Sequence, residues 1–391
     1  MFSQQIIRDL FRAYYDARRH KHGSDSALAF ELNYESNLLT LARELADGIY
    51  QVGPSTCFVV KKPCRREVFA ADFRDRVVHH LIFNYISPLF ERTFIYDSYS
   101  CRVGKGTSLG IKRCGHFIRS CSRNYARDCH ILKLDIQGYF MSIDKRILYG
   151  KIERVVKNYA GFCPFDKTWL LALIHQVAFN DPTKNCVIKG KREDWFGLPK
   201  SKSLFFSKPD CGLPIGNLTS QLFANIYLDD FDHFVKNTLG KGGYYGRYVD
   251  DMVIVHQDKE YLKSVIPLIR NYLSDKLSLT LHPKKIYLQH YKMGVAFLGA
   301  ILKPYRQYIL NRTKGNCLAK IRIWNKIVAD NNGKLSEELL AKFTASLNSY
   351  LGMMKQFNTY KLRKKILTEY LSPELRQSII VAEDGGKISK P

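Results

Sequence analysis

Three aspartates are the side chains of this sequence best suited to hold a divalent cation. Asp250 and Asp251 are adjacent, and they interrupt an apolar, strand-like run across residues 244–255. Asp135 ends a second apolar run and is followed by Ile136-Gln137-Gly138-Tyr139-Phe140. Carboxylate oxygens are the hard ligands that Mg²⁺ prefers. An acid at a strand end and an acid pair at a hairpin tip therefore predict a two-metal site on a sheet, suited to nucleotidyl transfer.

A simpler interpretation of Asp250-Asp251 is a tight turn, because aspartate is favoured where a chain reverses. The sequence holds a second pair, Asp229-Asp230, in a segment whose apolar residues recur at helical spacing. We expect this second pair on the solvated face of a helix over residues 219–236, with Thr219 or Ser220 as its N-cap. The distant acid at a strand end distinguishes the first pair from the second and favours the metal site.

The excess of positive charge is the strongest global feature. Lys and Arg number 61 against 36 Asp and Glu, a formal net charge of +25 over 391 residues. Such a field attracts polyanions, so nucleic acid is the leading partner. Ribosomal and membrane-surface proteins share this bias, but no apolar run approaches the roughly 20 residues that a spanning helix needs. We therefore expect no membrane partner.

Cysteine usage and the first residues indicate the compartment. The ten cysteines include no Cys-x-x-Cys pair and no His spacing typical of zinc sites. The N-terminus lacks a basic region followed by a long apolar core, so we expect no signal peptide. Reduced thiols and a cytoplasmic location follow. The hydrophobic fraction of 46% predicts a folded protein of two or three structural units.

Elements that must position the acids are visible in the pattern. Residues 57–69 read as a β-hairpin with cations at and beyond its turn, and residues 72–86 as a helix that Pro88 closes. Residues 184–208 form a basic, irregular loop between the two acidic segments. From residue 318 onward the chain is helical, with Ser336 as an N-cap.

Several motifs carry a resemblance to a known family. Tyr248-Val249-Asp250-Asp251 resembles the Y-x-D-D box of reverse transcriptases, and residues 135–140 resemble their first palm motif. Further motifs follow in the family's order: Arg66 and Asp75-Arg76 in the fingers, then Ser98-Tyr99 with Arg102, then Leu281 to Lys285 after the hairpin, and Phe297-Leu298-Gly299 at the primer grip. The co-linearity identifies the chain as similar to these polymerases.

One motif points to a subgroup. Ile215-Gly216-Asn217-Leu218-Thr219-Ser220-Gln221 resembles the enzymes of diversity-generating retroelements, which are group II intron-like bacterial reverse transcriptases, whereas most reverse transcriptases carry Gln-Gly and Ser-Pro at its ends. Residues 66–80 are also similar to that group. The resemblance implies cDNA synthesis from a template RNA with errors at adenines. Ile215 stands where a Gln usually contacts the incoming nucleotide, so it helps to set low fidelity.

The resemblance also implies roles for individual residues. It implies two Mg²⁺ ions, with Mn²⁺ as a substitute, held by Asp135, Asp250, Asp251 and the backbone carbonyl of Ile136. Phe140 would block the nucleotide 2′ hydroxyl, although a core aromatic is the better interpretation of this residue without the family. The implied nucleotide-binding set is Lys61, Lys62, Arg66, Arg102, Phe140, Ile215, Gly216, Gln221 and Lys285, and the primer grip is Phe297, Leu298 and Gly299.

The fold class implied is α+β, a right-hand polymerase fold with fingers, a palm of antiparallel sheet plus helices, and a helical thumb. Residues 1–130 are expected to form N-terminal helices and fingers, and residues 131–300 the palm, with a fingers-side basic insertion near 182–210. Residues 301–381 are expected to form the thumb, and residues 382–391 a flexible tail.

The partners implied are a template RNA, a primer strand and its cDNA, dNTPs and a small basic accessory protein, in a bacterial or phage-encoded cytoplasmic system. Two alternatives stay open. One is a related bacterial reverse transcriptase of a phage-defence or retron system, and the other is a non-catalytic RNA-binding protein with a polymerase fold.

Overall fold

The computed structural model describes residues 2–19, 23–61, 64–240 and 242–390. The chain forms two compact units, one of Met1–Gly106 with Leu132–Leu288 and one of Thr107–Ile131 with Gln289–Pro391. Both contain helices and small sheets whose strand pairs are mostly antiparallel. The predicted α+β class is confirmed.

The helices in the described part of the chain have the following bounds: α1 Phe2–Arg18, α2 Asp25–Glu31, α3 Tyr34–Ala46, α4 Phe73–Glu91, α5 Thr107–Cys121, α6 Tyr139–Ser142, α7 Lys145–Asn158, α8 Lys167–Phe179, α9 Leu218–Tyr227, α10 Asp229–Leu239, α11 Lys259–Leu277, α12 Asn311–Asp330, α13 Glu337–Lys355, α14 Tyr360–Lys365 and α15 Pro373–Gln377. None of these described helices is both long enough and apolar enough to cross a membrane.

The strands described are β1 Ser55–Val60, β2 Arg66–Ala70, β3 His130–Leu134, β4 Cys186–Ile188, β5 Tyr244–Tyr248, β6 Asp251–His256, β7 Tyr287–His290, β8 Val295–Phe297, β9 Ala300–Lys303, β10 Arg306–Ile309, β11 Ile380–Val381 and β12 Ile388–Ser389. They form four sheets, with the orders β5-β6-β3-β7, β2-β1-β4, β10-β9-β8 and β11-β12. In the first sheet β3 is the neighbour of β6, which places the strand that precedes Asp135 beside the strand that begins at Asp251.

The first unit is built around one large core. Helices α1, α4, α7, α8, α9 and α11 bury apolar faces together with the inner residues of β3 and β6, represented by Leu10, Val77, Leu132, Phe223 and Ile254. Burial of this apolar surface is the main driving force that holds the acidic strand ends in place. A separate small cluster of Cys57, Phe69, Met141 and Leu204 joins the β1–β2 hairpin to α6.

The second unit has its own core. Trp324 and Phe343 are buried where α12 packs against α13, with ring centroids 5.6 Å apart. Ser336 caps α13, because its side chain accepts a hydrogen bond from the backbone N–H of Leu339. The N-cap predicted for Ser336 is confirmed. Strands β11 and β12 pair at the end of the chain, and Ile388 exchanges backbone hydrogen bonds with the side chain of Asn348.

Two local predictions were wrong. Pro88 lies inside α4, which continues to Glu91, because a proline removes a single hydrogen bond in the last turn while Leu89 and Phe90 are buried in the core. The single helix expected over residues 219–236 is two helices, α9 and α10, and the residue at the N-cap position of α9 is Asn217.

Thr219 and Ser220 are buried inside α9 rather than at its start. Asn217 uses its side-chain oxygen elsewhere, since it accepts a hydrogen bond from the backbone N–H of Ala71 at 3.1 Å. The Thr219 hydroxyl lies 2.7 Å from Nδ1 of buried His79. His79 is therefore a buried packing residue.

The second acid pair was expected on a solvated helix face, and this holds only in part: the Asp230 side chain is 44% exposed, whereas that of Asp229 is 13% exposed. Asp229 and Asp230 lie in the first turn of α10, where negative charge is stabilised by the helix dipole. Asp230 forms ion pairs with Lys151 at 3.0 Å and Arg154 at 3.2 Å, and Asp229 accepts a hydrogen bond from Thr93 at 2.6 Å. These contacts join α10 to α7 through Asp230 and to Thr93 through Asp229.

Candidate active site

The β5–β6 hairpin presents the acid pair on a two-residue turn. Tyr248 pairs with Asp251, so that Val249 and Asp250 form the tip. Val249 has a φ of +56°. Left-handed backbone is unusual for a β-branched residue, because its Cβ crowds the backbone. The hairpin predicted from the sequence is confirmed, and its tip has a conformation that the surrounding structure must impose.

The three predicted acids lie within electrostatic range of one another. The pKa of Asp250 is raised from 3.8 to about 6, first by burial and then by the negative charges of Asp135 and Asp251. Carboxylates that share a site resist simultaneous ionisation, and a cation between them relieves the repulsion. The structure thus brings together Asp135, Asp250 and Asp251 from two strand ends and one turn.

Two lysines form ion pairs with Asp135 and Asp251. Lys285 Nζ lies 2.8 Å from Asp135 Oδ2, and Lys133 Nζ lies 3.2 Å from Asp251 Oδ1. Burial works against protonation of Lys285, but its hydrogen bond and charge attraction to Asp135 outweigh burial and raise the pKa of Lys285. The two ammonium groups thus balance the negative charges of Asp135 and Asp251.

Sequence reasoning missed Lys133, although a signal for it was present. Lys133 precedes Asp135 by two positions near the end of β3, and side chains two positions apart in a strand project from the same face. A basic side chain two residues before a candidate metal ligand on a strand therefore predicts an ion pair at the same site.

The backbone around Asp135 is anchored to the chain that follows α11. The N–H of His282 donates to the carbonyl of Asp135 at 2.8 Å, and the N–H of Gln137 donates to the carbonyl of Thr280 at 2.9 Å. The Ile136 side chain is buried. Residues 280–285 thereby hold the segment 135–137 and also deliver Lys285 to it.

The donor set fits a divalent cation that also binds substrate oxygens. Among the described residues, no three His, Cys, Asp or Glu side chains form a ready-made cage for a metal ion. Asp135 and Asp251 form ion pairs with their lysine partners, while burial and the charges of Asp135 and Asp251 raise the pKa of Asp250 against the attraction of Lys285. Mg²⁺ commonly binds through one or two carboxylates together with substrate phosphates and waters. Three neighbouring carboxylates, of which Asp250 has a raised pKa, match that requirement.

The β1–β2 hairpin contributes a cation near the acid pair. Arg66 is the exposed first residue of β2. Burial raises the pKa of Tyr248, and the positive charge of Arg66 opposes that shift. Arg66 is thus within electrostatic range of the residue that precedes the turn.

Lys61 and Lys62 were predicted beside Arg66. Lys61 is exposed and forms an ion pair with Asp194 at 2.6 Å. Lys62 lies outside the described residues. Contact of either lysine with a triphosphate stays a prediction.

Ile215 and Phe140 flank the small cluster of Cys57, Phe69, Met141 and Leu204. The carbonyl of Ile215 accepts from the N–H of Phe69 at 2.8 Å, and the carbonyl of Phe140 accepts from the N–H of Leu213 at 2.8 Å. Two predicted nucleotide-binding side chains therefore pack on the same small apolar cluster, close to the first palm motif.

Gly216 is required by its surroundings. Its φ is +128°, and a Cβ at this position would lie 2.9 Å from Val68 Cγ1 and 3.0 Å from the carbonyl oxygen of Phe69. The segment before α9 consequently lies directly against β2. Gln221 is exposed in the first turn of α9, where its amide is accessible to a ligand.

Arg102 was predicted to contact the nucleotide, and its hydrogen bonds are all made within the protein. It pairs with Glu91 at 2.7 Å, and it donates to the carbonyls of Ile95 and Ser98 at 2.7 and 2.9 Å. Its side chain is 6% exposed. These bonds hold the loop between α4 and α5, and nucleotide contact by Arg102 stays a prediction.

The basic insertion is attached to the β1–β2 hairpin through a buried acid. Glu67 is fully buried and accepts hydrogen bonds from Trp195 Nε1 and Ser203 Oγ, both at 2.8 Å, and from the N–H of Leu204 at 2.6 Å. Strand β4 also pairs in parallel with β1. Residues Cys186–Ile188 of the insertion thus extend the hairpin sheet, while the rest of the segment, apart from three short 3-10 helices, is irregular as expected.

The predicted primer-grip residues lie in the second unit, at the turn from β8 to β9. Phe297 ends β8 and is buried. Leu298 and Gly299 both have positive φ, at +49° and +92°. The turn presents Leu298 and Gly299 between two short strands, and their contact with a primer stays a prediction.

Comparison with known proteins agrees with this geometry. A family model described as reverse transcriptase (RNA-dependent DNA polymerase) matches residues 61–302. The chain is 19% identical to the COX1/OXI3 intron 2 protein of Saccharomyces cerevisiae, in a match that spans 83% of this chain and 41% of that protein. It is 23% identical to protein YkfC of Escherichia coli, over 67% of this chain and 70% of that protein.

Telomerases are among the solved structures that show a partial likeness to this chain. Telomerase from Candida albicans, in complex with a fragment of telomeric RNA, has a TM-score of 0.48 and 13% identity, over 85% of this chain and 61% of that chain. Apo telomerase from Candida tropicalis has a TM-score of 0.49 and 12% identity, over 80% of this chain and 61% of that chain.

Proposed function

We propose that this chain, which belongs to the reverse transcriptase family, is an RNA-directed DNA polymerase whose catalytic acids are Asp135, Asp250 and Asp251. The observation that carries the proposal is the strand arrangement, in which β3, followed by Asp135, lies beside β6, which begins at the turn with Asp250 and Asp251. The raised pKa of Asp250 and the ion pairs of Lys133 and Lys285 with Asp251 and Asp135 support a site suited to positive charge.

Divalent cations would be held by these three carboxylates, with the Ile136 carbonyl as a further oxygen ligand. Two Mg²⁺ ions held there, or Mn²⁺ in their place, would supply Lewis acidity for the primer 3′ hydroxyl and would neutralise charge on the leaving pyrophosphate. Lys285 Nζ, already protonated beside Asp135, would donate a proton or a hydrogen bond to the departing pyrophosphate oxygen.

Side chains on the hairpin sheet and before α9 would receive the nucleotide. Arg66, with Lys61 or Lys62, would bind the triphosphate through charge-assisted hydrogen bonds. Phe140 would exclude a ribose 2′ hydroxyl by occupying its space. Gly216 and Gln221 would contact the nucleotide at the start of α9.

The segment roles are part of the same proposal. Residues 1–130 would supply N-terminal helices and fingers, residues 131–300 the palm with its insertion near 182–210, and residues 301–381 the thumb. Template RNA, primer and cDNA would be the nucleic-acid partners, and the net charge of +25 supports binding to their phosphates.

We further propose the diversity-generating type, with misincorporation opposite template adenines. The support is Ile215, whose apolar side chain packs beside Phe140 on the small cluster and cannot donate a hydrogen bond to a nucleotide. A small basic accessory protein and a bacterial or phage-encoded cytoplasmic setting belong to this proposal.

Sequencing cDNA made by the purified protein on a defined RNA tests the proposal. We expect mismatches concentrated at template adenines, and we expect Ile215→Gln to lower them by about tenfold, because one added hydrogen bond contributes roughly 1.4 kcal/mol to discrimination. Ile188→Gln is the matched control, since Ile188 is an exposed isoleucine in β4 and should leave the error spectrum unchanged.

A uniform error spectrum in the wild-type cDNA would contradict the diversity-generating assignment and favour a phage-defence or retron enzyme. Absence of any extension product, with the protein folded and Mg²⁺ present, would favour the non-catalytic RNA-binding alternative.

A further inference from the structure

A buried charged network lies directly beneath the acid turn. Arg247 is fully buried on β5, and its Nε and Nη2 lie 2.7 and 2.6 Å from the two carboxylate oxygens of Asp232 on α10. Asp232 is equally buried, and its Oδ1 also accepts from the Tyr245 hydroxyl at 2.7 Å. The guanidinium and carboxylate form a two-point pair whose geometry is fixed on both sides.

The remaining donors of Arg247 reach the turn and two neighbouring segments. Nη1 donates to the carbonyl of Val249 at 3.0 Å and approaches Asn225 Oδ1 at 3.4 Å, and Nη2 donates to Ser98 Oγ at 3.3 Å. The Arg247 backbone is also fixed, because its N–H donates to Asp97 and its carbonyl accepts from Tyr99, both at 2.9 Å. One side chain thus ties β5, α9, α10 and the segment before α5 to the turn.

The Val249 carbonyl is the point where this network meets the site. Val249 has a φ of +56°, and it immediately precedes Asp250. A valine is seldom left-handed unless surrounding contacts impose that conformation. The hydrogen bond from Arg247 fixes the peptide plane between Val249 and Asp250, and this plane sets the direction in which the Asp250 carboxylate leaves the backbone.

Stability alone does not account for a buried ion pair at this place. Well-packed apolar residues of the same volume are often at least as stabilising as a buried Arg–Asp pair, because both charges must be desolvated. What an apolar pair lacks is a directed donor for the Val249 carbonyl. The geometry of Arg247 and Asp232 is therefore better explained by orientation of the turn than by its contribution to folding.

We propose that Arg247 is a positioning residue: held by Asp232, it fixes the left-handed Val249 and thereby aims Asp250 at its metal and substrate. The inference rests on the proposed role of Asp250 as a metal ligand. Arg247 itself is fully buried and touches no reactant.

Steady-state primer extension by Arg247→Lys and by the neutral pair Arg247→Met/Asp232→Asn tests this role. The double variant leaves no unpaired buried charge, and the Asn oxygen still accepts from Tyr245. We expect kcat to fall about 100-fold, because misplacement of a reacting group by about 1 Å has that effect. The KM for dNTP should be nearly unchanged, and the Mg²⁺ concentration for half-maximal rate should rise. Lysine in place of Arg247 cannot donate hydrogen bonds to Asp232 and to the Val249 carbonyl at the same time, so Arg247→Lys should also have a lower kcat.

Rescue by glycine separates positioning from folding. Glycine adopts positive φ without the steric cost that valine incurs. Adding Val249→Gly to Arg247→Lys should therefore raise kcat about tenfold over Arg247→Lys alone. In the otherwise wild-type enzyme, Val249→Gly should slightly lower kcat. Arg154→Met, which removes an exposed arginine from the same unit, is the control and should keep the wild-type rate.

Thermal unfolding of each variant completes the test. A folded Arg247→Lys enzyme with wild-type kcat and Mg²⁺ dependence would overturn the inference, and so would a loss of rate that tracks lost stability and is not rescued by Val249→Gly. Asp250→Asn is assayed in parallel: if it retains activity, the proposed metal site itself is wrong, whereas an inactive Asp250→Asn beside a normal Arg247→Lys rejects only the positioning role.

Discussion

The chain contains two Asp-Asp pairs, and the tertiary structure gives Asp250 of one pair and Asp230 of the other opposite electrostatic surroundings. Burial, together with the negative charges of Asp135 and Asp251, raises the pKa of Asp250 to about 6. At Asp230 burial acts in the same direction, but the charges of Lys151 and Arg154 outweigh it and lower the pKa. Repulsion by neighbouring acids acts on Asp250, whereas two cations compensate the charge of Asp230, and burial raises the pKa of Asp229 beside it.

The comparison indicates what separates a candidate metal ligand from a structural acid, namely incomplete compensation of its negative charge. Asp230 on α10 has two cations within 3.2 Å, so its charge contributes to packing between helices. The acids of the hairpin site have one lysine each at Asp135 and Asp251, and Asp250 is left with repulsion. The repulsion on Asp250 is unfavourable in the protein alone, and a bound cation would relieve it.

Removing one acid from each pair is the strongest test of this comparison. Asp250→Asn should reduce primer-extension kcat by about 1000-fold, because a lost metal ligand removes several kcal/mol of transition-state stabilisation. Asp230→Asn should keep the wild-type rate within about twofold. Comparable losses from both substitutions in the same extension assay would abolish the distinction between the pairs.

The lysine partners provide a second matched pair of variants. Lys285→Ala should lower kcat by about 100-fold, in the range for loss of a proton donor. Lys151→Ala, which removes the partner of Asp230, should leave kcat unchanged. Rapid-quench measurement of single-nucleotide addition checks the step itself. An unchanged rate in Lys285→Ala would restrict that lysine to charge neutralisation in the free enzyme.

The raised pKa of Asp250 predicts a pH-dependent cost to stability. The folded pKa of about 6 exceeds the ordinary 3.8, so the native state binds a proton more tightly than the unfolded chain does. Stability from this group is present below pH 4 and is lost as pH rises through 6, by about 3 kcal/mol in total. In urea unfolding without divalent metal, the free energy of unfolding of Asp250→Asn should therefore rise relative to that of the wild type between pH 5 and pH 7.5.

Adding Mg²⁺ provides the control for that measurement. A cation that neutralises the acids should stabilise the wild type more than Asp250→Asn at pH 7.5. Parallel stability curves for the two proteins across this pH range, with or without Mg²⁺, would show that Asp250 titrates at its ordinary value.

The smallest effect is expected at Asp230. Its lowered pKa means that its stabilising charge is present above the ordinary pKa near 4 and is lost as pH falls further. Because the side chain is 44% exposed, solvent screening limits the contribution to at most about 1 kcal/mol. Urea unfolding of Asp230→Asn at pH 7 should show a slight destabilisation, and a gain in stability would contradict the ion-pair assignment.

Much of the site could be predicted because it follows local rules. The hairpin of β5 and β6 follows from an apolar run interrupted by acids, and Asp135 from its place at a strand end. Lys285 could be expected only through the motif it belongs to. Lys133, by contrast, is two residues from Asp135, so strand periodicity alone predicts its side chain on the same face.

What could not be predicted depends on contacts between distant segments. The fate of Asp229-Asp230 is decided by Thr93 and by Lys151 and Arg154 on α7, far away in the sequence. The hydrogen bonds of Arg102 depend on Glu91, which no motif indicates. Local propensity carries no information about which side chain arrives from another element.

The sequence by itself determined the polymerase family and the α+β class, and it singled out three acids as candidates, because motif order, strand periodicity and charge can be read along the chain. Only the tertiary structure decided that Arg247 and Asp232 are buried together beneath Val249, and that Asp250 is repelled by its neighbours while Asp230 is neutralised. Burial and electrostatic compensation depend on the distances between groups in space, and the fold alone sets those distances.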